Sequence, residues 1–584
     1  MWKLRSFLKP YWFMTLIAPL LMVMEVCMDL TQPRLMAAIV DQGVTQGNLE
    51  LIGTTSLHML GVALLGLIGG VGCTYFTVRV SQNFGSDLRM SVFEKVQTLS
   101  FRQLDSFSAG SLITRLTGDV VQLLNLVQIL LRQFTREFSL IIGSVTMAII
   151  ISPRLSLILL LVIPIQFVIL YMLMKRSTPL FRTMQRKLDN VNTVIQESTT
   201  GIRVIKAFVR ASFERARFGK ANSAYYDSGL KSARAMATNG PLMTLILNIS
   251  IVAVIWFGAG QTWQGLMPIG DLAAFLIYIS QVLFSLVSIS STLMNVSRAR
   301  VSADRLNEVL DTKADMNEPM DGDKEKALAH SASQQGRLVF EHVSFAYDSN
   351  PDKKILSDLS FAVEPGQTLG ILGATGSGKS TLVSLIPRLY DVSEGRILLD
   401  GVDIRDIPVT QLRREVGLVL QQSILFSGSI RDNIRFGRPD ASEDEVETAA
   451  RAAEAHEFID KLSEGYGAVL GQRGVNLSGG QKQRISIARA LLMRSRILVL
   501  DDSTSAIDLG TEKRIQRSLQ ALMKSSTCLI IAQRISSVKH ADQIIVFEEG
   551  RIAAKGTHEE LLASSPIYQD IYESQQGKET ARHG

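Results

Sequence analysis

Six long apolar runs crowd into the first half of this 584-residue chain, at about 12–38, 56–80, 135–152, 155–174, 241–260 and 272–294. A bilayer core takes about 20 apolar helical residues. Inside lipid, every backbone amide must find its partner within its own helix or a closed barrel. The runs therefore predict a bundle of six membrane-spanning helices and leave room for little else before Asn295. Composition agrees, with 46% hydrophobic and only 20% charged residues, against about 25% charged in soluble proteins. The third run is short and is parted from the fourth only by Ser152-Pro153-Arg154, which predicts a tight helical hairpin.

Lys and Arg number 61 against 55 Asp and Glu, a net charge of +6. The excess gathers beside the apolar runs. Arg79, Arg89, Lys95, Arg102, Arg115, Arg132 and Arg136 mark one long polar stretch, and Lys175, Arg176, Arg182, Arg186, Lys187, Arg203, Lys206 and Arg210 the other. The opposite loops hold little besides Arg154. The positive-inside rule places both termini and both long stretches in the cytoplasm, as in a multi-pass protein of the cell (plasma) membrane. Segments 81–135 and 175–240 keep helical spacing with few breakers, so the spans are expected to continue beyond the bilayer. The basic start, Met1-Trp2-Lys3-Leu4-Arg5, leads into an apolar stretch too long for a signal peptide, so an uncleaved anchor is expected. No stripe of basic residues interleaved with aromatics appears, and no nucleic-acid partner is expected. Cys27, Cys73 and Cys528 lack metal-ligand or CxxC spacing.

Residues 312–336, rich in Asp, Glu, Lys, Ser and Ala, read as a linker between a membrane domain at 1–311 and a second domain at 337–576, with a tail at 577–584. The second domain alternates short β-rich runs with helices, the pattern of an α/β fold. Gly373-Ala374-Thr375-Gly376-Ser377-Gly378-Lys379-Ser380 matches GxxxxGK[ST] in full, after the apolar run 368–372 and before Thr381-Leu382-Val383. Such a strand, loop and helix turn backbone N–H groups towards phosphates. Lys379 reaches the outer phosphates and Ser380 holds Mg²⁺. Ile497-Leu498-Val499-Leu500-Asp501 reads as a buried strand whose terminal carboxylate orients that Mg²⁺ through water.

Leu477-Ser478-Gly479-Gly480-Gln481 then resembles the signature of the ATP-binding-cassette (ABC) family, and the whole chain resembles an ABC exporter half-transporter. The resemblance implies an α-helical membrane bundle fused to an α/β P-loop ATPase domain, with ATP and Mg²⁺ as cofactors. It implies that Tyr347, in Phe345-Ala346-Tyr347, stacks on adenine, and that Gln421 touches Mg²⁺. Ser505-Ala506-Ile507-Asp508 resembles the D-loop. Segments 101–120 and 197–208 resemble the cytoplasmic loops of exporters, whose short coupling helices face the ATPase domains. In the family, Ser478, Gly479, Gly480 and Gln481 close over the nucleotide of a partner subunit.

Three positions depart from the family pattern. Asp502 stands where a glutamate normally orients the attacking water, Gln533 replaces the switch histidine, and Gln472 replaces a common glutamate. Binding groups are intact while chemistry groups are altered. The pattern resembles bacterial heterodimeric multidrug exporters of the BmrCD type. That resemblance implies a second, different half-transporter as partner and a slowly hydrolysing site on this chain.

The spans say less about cargo. Glu25 and Asp29 lie at i and i+4 on one helix face, where they either attract cationic substrates in a water-filled cavity or bond another helix. Met14, Met22, Met24, Met28 and Met36 in the same span either offer a deformable surface to apolar ligands or fill space. Gly66 and Gly70 form GxxxG, a close-packing motif. The main expectation is an exporter of amphipathic drugs in contact with membrane lipids. Export of a defined lipid, peptide or metabolite is the alternative, and an ATP-sensing subunit that moves nothing the third.

Overall fold

The computed structural model describes residues 2–313, 335–347, 353–503, 507, 509–522 and 526–583. Most of the expected linker, and Ser505, Ala506 and Asp508 of the D-loop segment, lie outside the described residues. The chain divides into two units, Met1–Gln97 with Ser108–Thr312, and Thr98–Phe107 with Lys313–Gly584.

The first unit is helical throughout. A 3-10 helix over Trp2–Tyr11 leads into α1 (Trp12–Ala38) and α2 (Leu49–Thr98). The short α3 (Phe101–Ser106) that follows in the chain belongs to the second unit; in the first come α4 (Ala109–Thr114), α5 (Val120–Gln128) and α6 (Thr135–Ile151), joined by π-helical turns at Arg115–Asp119 and Ile129–Phe134. Then follow α7 (Pro153–Thr200), α8 (Ile202–Ala207), α9 (Ala211–Ala237), α10 (Asn239–Trp263) and α11 (Ile269–Asp311). Among the described residues, six helical stretches are long and apolar enough to cross a membrane. The 48 residues of α7 at about 1.5 Å each run about 72 Å, more than twice a hydrocarbon core of about 30 Å. The helices therefore continue past the bilayer, as the charged, helically spaced segments predict.

The hairpin at Ser152 has a local cause. Ser152 leaves helical geometry (φ −150°), its hydroxyl accepts from the Leu155 N–H at 3.3 Å, and Pro153 occupies the first turn, where no N–H is needed. Outward faces are apolar: Leu57, Leu160 and Trp256 are exposed, as lipid-facing positions require. Inside, Met22, Val26, Leu140 and Tyr278 pack together, and the Tyr278 hydroxyl donates to the Leu30 carbonyl at 2.5 Å. The methionines of α1 thus split, Met22 entering the core and Met36 facing out. Along α11 two ion pairs each join a buried partner, Arg115 or Asp119, to a solvent-exposed one. Arg115 meets Glu308 at 2.7 Å, and Asp119 accepts from Ser302 at 2.8 Å and Arg305 at 2.7 Å.

The second unit is built on two large sheets, with a small ribbon of β7 (Gly428–Ser429) and β8 (Val469–Leu470) beside them. An antiparallel sheet of order β2-β1-β4-β5 is formed by β1 (Leu338–Phe345), β2 (Leu356–Val363), β4 (Glu394–Leu399) and β5 (Val402–Asp403). The other has order β12-β11-β3-β10-β9-β6, from β3 (Thr368–Gly373), β6 (Val416–Val419), β9 (Ile497–Asp501), β10 (Thr527–Ala532), β11 (Gln543–Glu548) and β12 (Arg551–Gly556). Its strands from β11 through β6 are parallel, and β9 is buried along its whole length, which is why it reads as an unbroken apolar run. A core of Phe340, Phe361, Ile371, Leu382, Val499 and Phe547 lies between the sheets. A second core, with Ile430, Ile459, Ile485 and Leu491, gathers the helices that carry the signature.

Candidate functional site

The phosphate-loop segment leaves the sheet at β3, beside β10 and β11. Ligand crevices in open α/β sheets form at the carboxyl ends of strands. Gly376 and Gly378 hold φ of +86° and +99°, a region that side chains resist. A Cβ on Gly373 would stand 2.5 Å from the Phe547 carbonyl oxygen. Lys379 opens helix α12 (Lys379–Leu385), and its ammonium donates to the carbonyls of Gly373 at 2.9 Å and Ala374 at 2.7 Å and to the Ser377 hydroxyl at 3.3 Å. Burial pushes the Lys379 pKa below its ordinary value, and Asp501 and Asp502 pull it back up. A buried cation is thus held by the loop's own carbonyls.

Three neighbouring strands bring the remaining groups together. Gln421 follows β6, Asp502 follows β9 and Gln533 follows β10; these lie side by side in the order β10-β9-β6. Asp501 is buried at the end of β9, and that burial pushes its carboxyl above the ordinary value against a hydrogen bond from Ser380. Asp502 has φ +45°, and its N–H donates to the Ile531 carbonyl at 3.0 Å. Its Oδ2 accepts from the Gln533 side chain at 3.0 Å and from Gln421 at 3.4 Å. Two of the three departures from the family pattern, Asp502 and Gln533, therefore touch. Desolvation raises the Asp502 pKa, while Gln421, Lys379 and Arg534 lower it.

Two residues here carry no sequence motif. Gln575, in the C-terminal helix (Pro566–His583), donates to the Gln533 carbonyl at 2.8 Å and accepts from the Ile535 N–H at 2.9 Å, clamping the segment that holds Gln533. That helix runs through the expected tail. Tyr390 meets Tyr347 edge-on at 5.2 Å between ring centres and donates to Asp105 Oδ2, on α3, at 2.6 Å. Tyr347 keeps its ring 43% exposed, with its hydroxyl 3.1 Å from Thr381 Oγ1.

The signature forms a capping box on a 14-residue helix, Gly479–Leu492. Ser478 Oγ accepts from the Gln481 N–H at 3.4 Å, and Gln481 Oε1 accepts from the Ser478 N–H at 2.8 Å. Gly479 is exposed, and the helix rests on the second core rather than on the one beneath the phosphate loop. Gln472 is exposed, in a 3-10 turn whose Arg473 has φ +55°.

In the membrane unit, Glu25 and Asp29 do not stand as unopposed carboxylates. Arg136 of α6 approaches Asp29 Oδ2 at 3.3 Å and Glu25 Oε1 at 4.0 Å. That contact is a bond to another helix, one of the two roles the sequence left open for these carboxylates.

A model of the ABC transporter transmembrane region matches residues 15–286, and one of the ABC transporter matches residues 356–505. An uncharacterized ABC transporter ATP-binding protein of Bacillus subtilis, YfiB, is 41% identical over 579 residues, covering 99% of each chain. The chain belongs to the ABC transporter family. An ATP-dependent lipid A-core flippase of Chromobacterium violaceum is 33% identical and covers 98% of this chain and 97% of its own. A solved structure described as a bacterial Atm1-family ABC exporter with ATP bound aligns with a TM-score of 0.80 at 27% identity, over 96% of this chain and 98% of that one. This ABC protein is accordingly an exporter half-transporter, a multi-pass membrane protein with a transport ATPase domain that uses ATP and Mg²⁺. The donor set suits the metal. Ser380 and Asp501 present hydrogen-bonded hard oxygens beside Lys379, and Mg²⁺ takes few protein oxygens, completing its shell with phosphate and water. Bound there, it would neutralise charge on the outer phosphates.

Proposed function

We propose that this half-transporter is one member of an asymmetric heterodimer in the cell membrane, exporting amphipathic drugs or xenobiotics from the cytoplasm or inner leaflet by alternating access. Residues 1–311 serve as the membrane domain and 337–576 as the cytoplasmic ATPase domain. The phosphate-loop residues Gly373 to Thr381 hold the ATP phosphates, Tyr347 lies against adenine, and Ser380, Gln421 and Asp501 serve Mg²⁺. Ser478 to Gln481 complete the site of a different partner.

The contact between Asp502 and Gln533, 3.0 Å from Nε2 to Oδ2, carries the asymmetry. A water-activating base needs a free oxygen reaching the water beyond the γ-phosphate. Asp502 is one methylene shorter than glutamate, and its Oδ2 already accepts two amide donors. A displacement of about 1 Å costs on the order of 10²-fold in rate. Gln533 donates hydrogen bonds but has no proton to shuttle, as histidine would. This site then holds ATP for long periods and clamps the ATPase domains shut, while the partner site hydrolyses and resets the cycle.

The test is single-turnover hydrolysis in the purified pair, each site disabled in turn. Asp502→Asn should lower total ATPase activity less than about threefold, since a residue contributing little transition-state stabilisation loses little with its charge. Neutralising the glutamate expected at the partner's matching position should nearly abolish turnover. Equal rates from the two sites would sink the asymmetric reading.

A further inference from the structure

The membrane unit contains a cavity of about 740 Å³ whose lining includes Glu25, Asp29 and Arg132 together with apolar Met28, Leu67 and Val71. That volume lies within the range of about 300–1,000 Å³ for small-molecule sites. Gly70 makes room for the Glu25 carboxylate: a Cβ there would stand 2.8 Å from Glu25 Oε2 and 3.0 Å from its Cδ. Arg136 satisfies Asp29 at 3.3 Å and is only loosely engaged by Glu25 at 4.0 Å. The Arg132 guanidinium makes no direct hydrogen bond or ion pair among the described residues, though its charge reaches Glu25, and it lines the same cavity.

Counting formal charge, Asp29 is neutralised by Arg136, which pairs with it from outside the lining, and Glu25 is balanced by Arg132 within it. A cavity balanced in this way offers a lone cation no net attraction, because whatever Glu25 contributes Arg132 opposes. A molecule carrying both signs is served at each end. Its cationic group replaces the weak Arg136 contact at Glu25, and its anionic group gives Arg132 the partner it lacks. Such charge matching adds to the apolar contact and orients the bound molecule.

We propose that this cavity binds the head group of a zwitterionic amphiphile, the cationic end at Glu25 and the anionic end at Arg132, with the apolar tail along Leu67 and Val71. The proposal rests on the export reading and narrows its cargo from amphipathic drugs at large to amphiphiles bearing both charges.

Three probes sharing one twelve-carbon chain isolate the head group: dodecylphosphocholine, dodecyltrimethylammonium and dodecyl sulfate, each below its micelle concentration. Binding is measured without nucleotide to the full-length chain, with the half-transporter that co-purifies with it, in phosphatidylglycerol nanodiscs free of zwitterionic lipid. Dodecylphosphocholine should bind at least tenfold more tightly than either singly charged probe. Arg132→Gln should lose at least tenfold for the zwitterion and shift preference to the cation, and Glu25→Gln should shift it to the anion. Gly70→Ala, which displaces the Glu25 carboxylate without removing it, should follow Glu25→Gln. Each variant must stay monodisperse and retain ATP binding, so that lost probe affinity is not lost folding. A cation bound as tightly as the zwitterion by the wild type, or Arg132→Gln leaving zwitterion affinity unchanged, overturns the proposal. ATPase activity of the same sample is a separate readout. Its absence with the head-group preference intact would remove the export reading and leave the site; ATP turnover without the preference would do the reverse.

Discussion

Replacing Tyr390 by phenylalanine removes one hydroxyl from a chain of contacts that runs from the nucleotide site to α3, the short helix joined through Leu99-Ser100 to the long α2. Tyr347 meets Tyr390 edge-on at 5.2 Å, Tyr390 meets the Phe101 ring at 6.0 Å, and its hydroxyl donates to Asp105 at 2.6 Å. A hydrogen bond to a charged group contributes about 1.5–3 kcal/mol. Asp105 is exposed, so water competes for it and a value of about 1–1.5 kcal/mol is appropriate. Tyr390→Phe should therefore weaken docking of α3 roughly tenfold. Tyr390→Ala also loses ring contacts with Phe101, Phe345 and Tyr347, at about 0.5–1.5 kcal/mol each, and should weaken docking more than 100-fold. The assay is the ratio of substrate-stimulated to basal ATPase activity in nanodiscs. That ratio should fall in Tyr390→Phe while ATP affinity holds, and Asp105→Asn should add little to it, since both changes break one bond. Burial pushes the Tyr390 phenol above its ordinary value, and Asp105 pushes it the same way. A raised pKa means the contact is fully present below the unfolded value of about 10 and is lost only as pH climbs through the folded one. Stimulation should therefore stay flat from about pH 7 to 9 as far as this bond is concerned. Wild-type stimulation in Tyr390→Phe, or fully additive effects of the two changes, would refute the reasoning.

Lys379→Ala should weaken ATP binding at this chain's site by about 30–100-fold, the loss of a charge-assisted phosphate contact, measured with a fluorescent nucleotide in the assembled pair. Ser478→Arg should abolish most turnover by the complex although this chain's phosphate loop is untouched, because bulk and charge then face the partner's nucleotide; near wild-type ATPase activity would rule out the shared site. Arg388 is 2% exposed and is held by Asp391 at 2.6 Å and the Arg405 carbonyl at 3.2 Å. Arg388→Ala, which removes the buried guanidinium from the half-buried Asp391, should cost about 2 kcal/mol, seen as a lower thermal midpoint of the ATPase transition in the full chain.

Much of this protein is legible one segment at a time. The spans are readable because a bilayer demands about 20 apolar residues in a row. The phosphate loop is readable because its glycines, Lys379 and Ser380 are contiguous and a strand-to-helix turn needs that order. The Ser152-Pro153 hairpin and the Ser478–Gln481 capping box are readable because each bond closes within a few residues. Pairings between distant residues carry no such local mark. Asp502 and Gln533 are 31 residues apart and meet only because β9 and β10 run parallel with Asp501 opposite Ile531. Tyr390 and Asp105 are 285 residues apart, and Arg136 and Asp29 are 107 apart. Glu25 and Asp29 show the difference most clearly. Their place on one face of a helix follows from the 3.6-residue period alone, whereas the guanidinium opposite them depends on how α1 packs against α6. Helix period and apolar run length are properties of neighbouring residues, so the chain states them outright. Which charge stands across from which is set by strand order and helix packing, long-range choices that the fold makes as a whole.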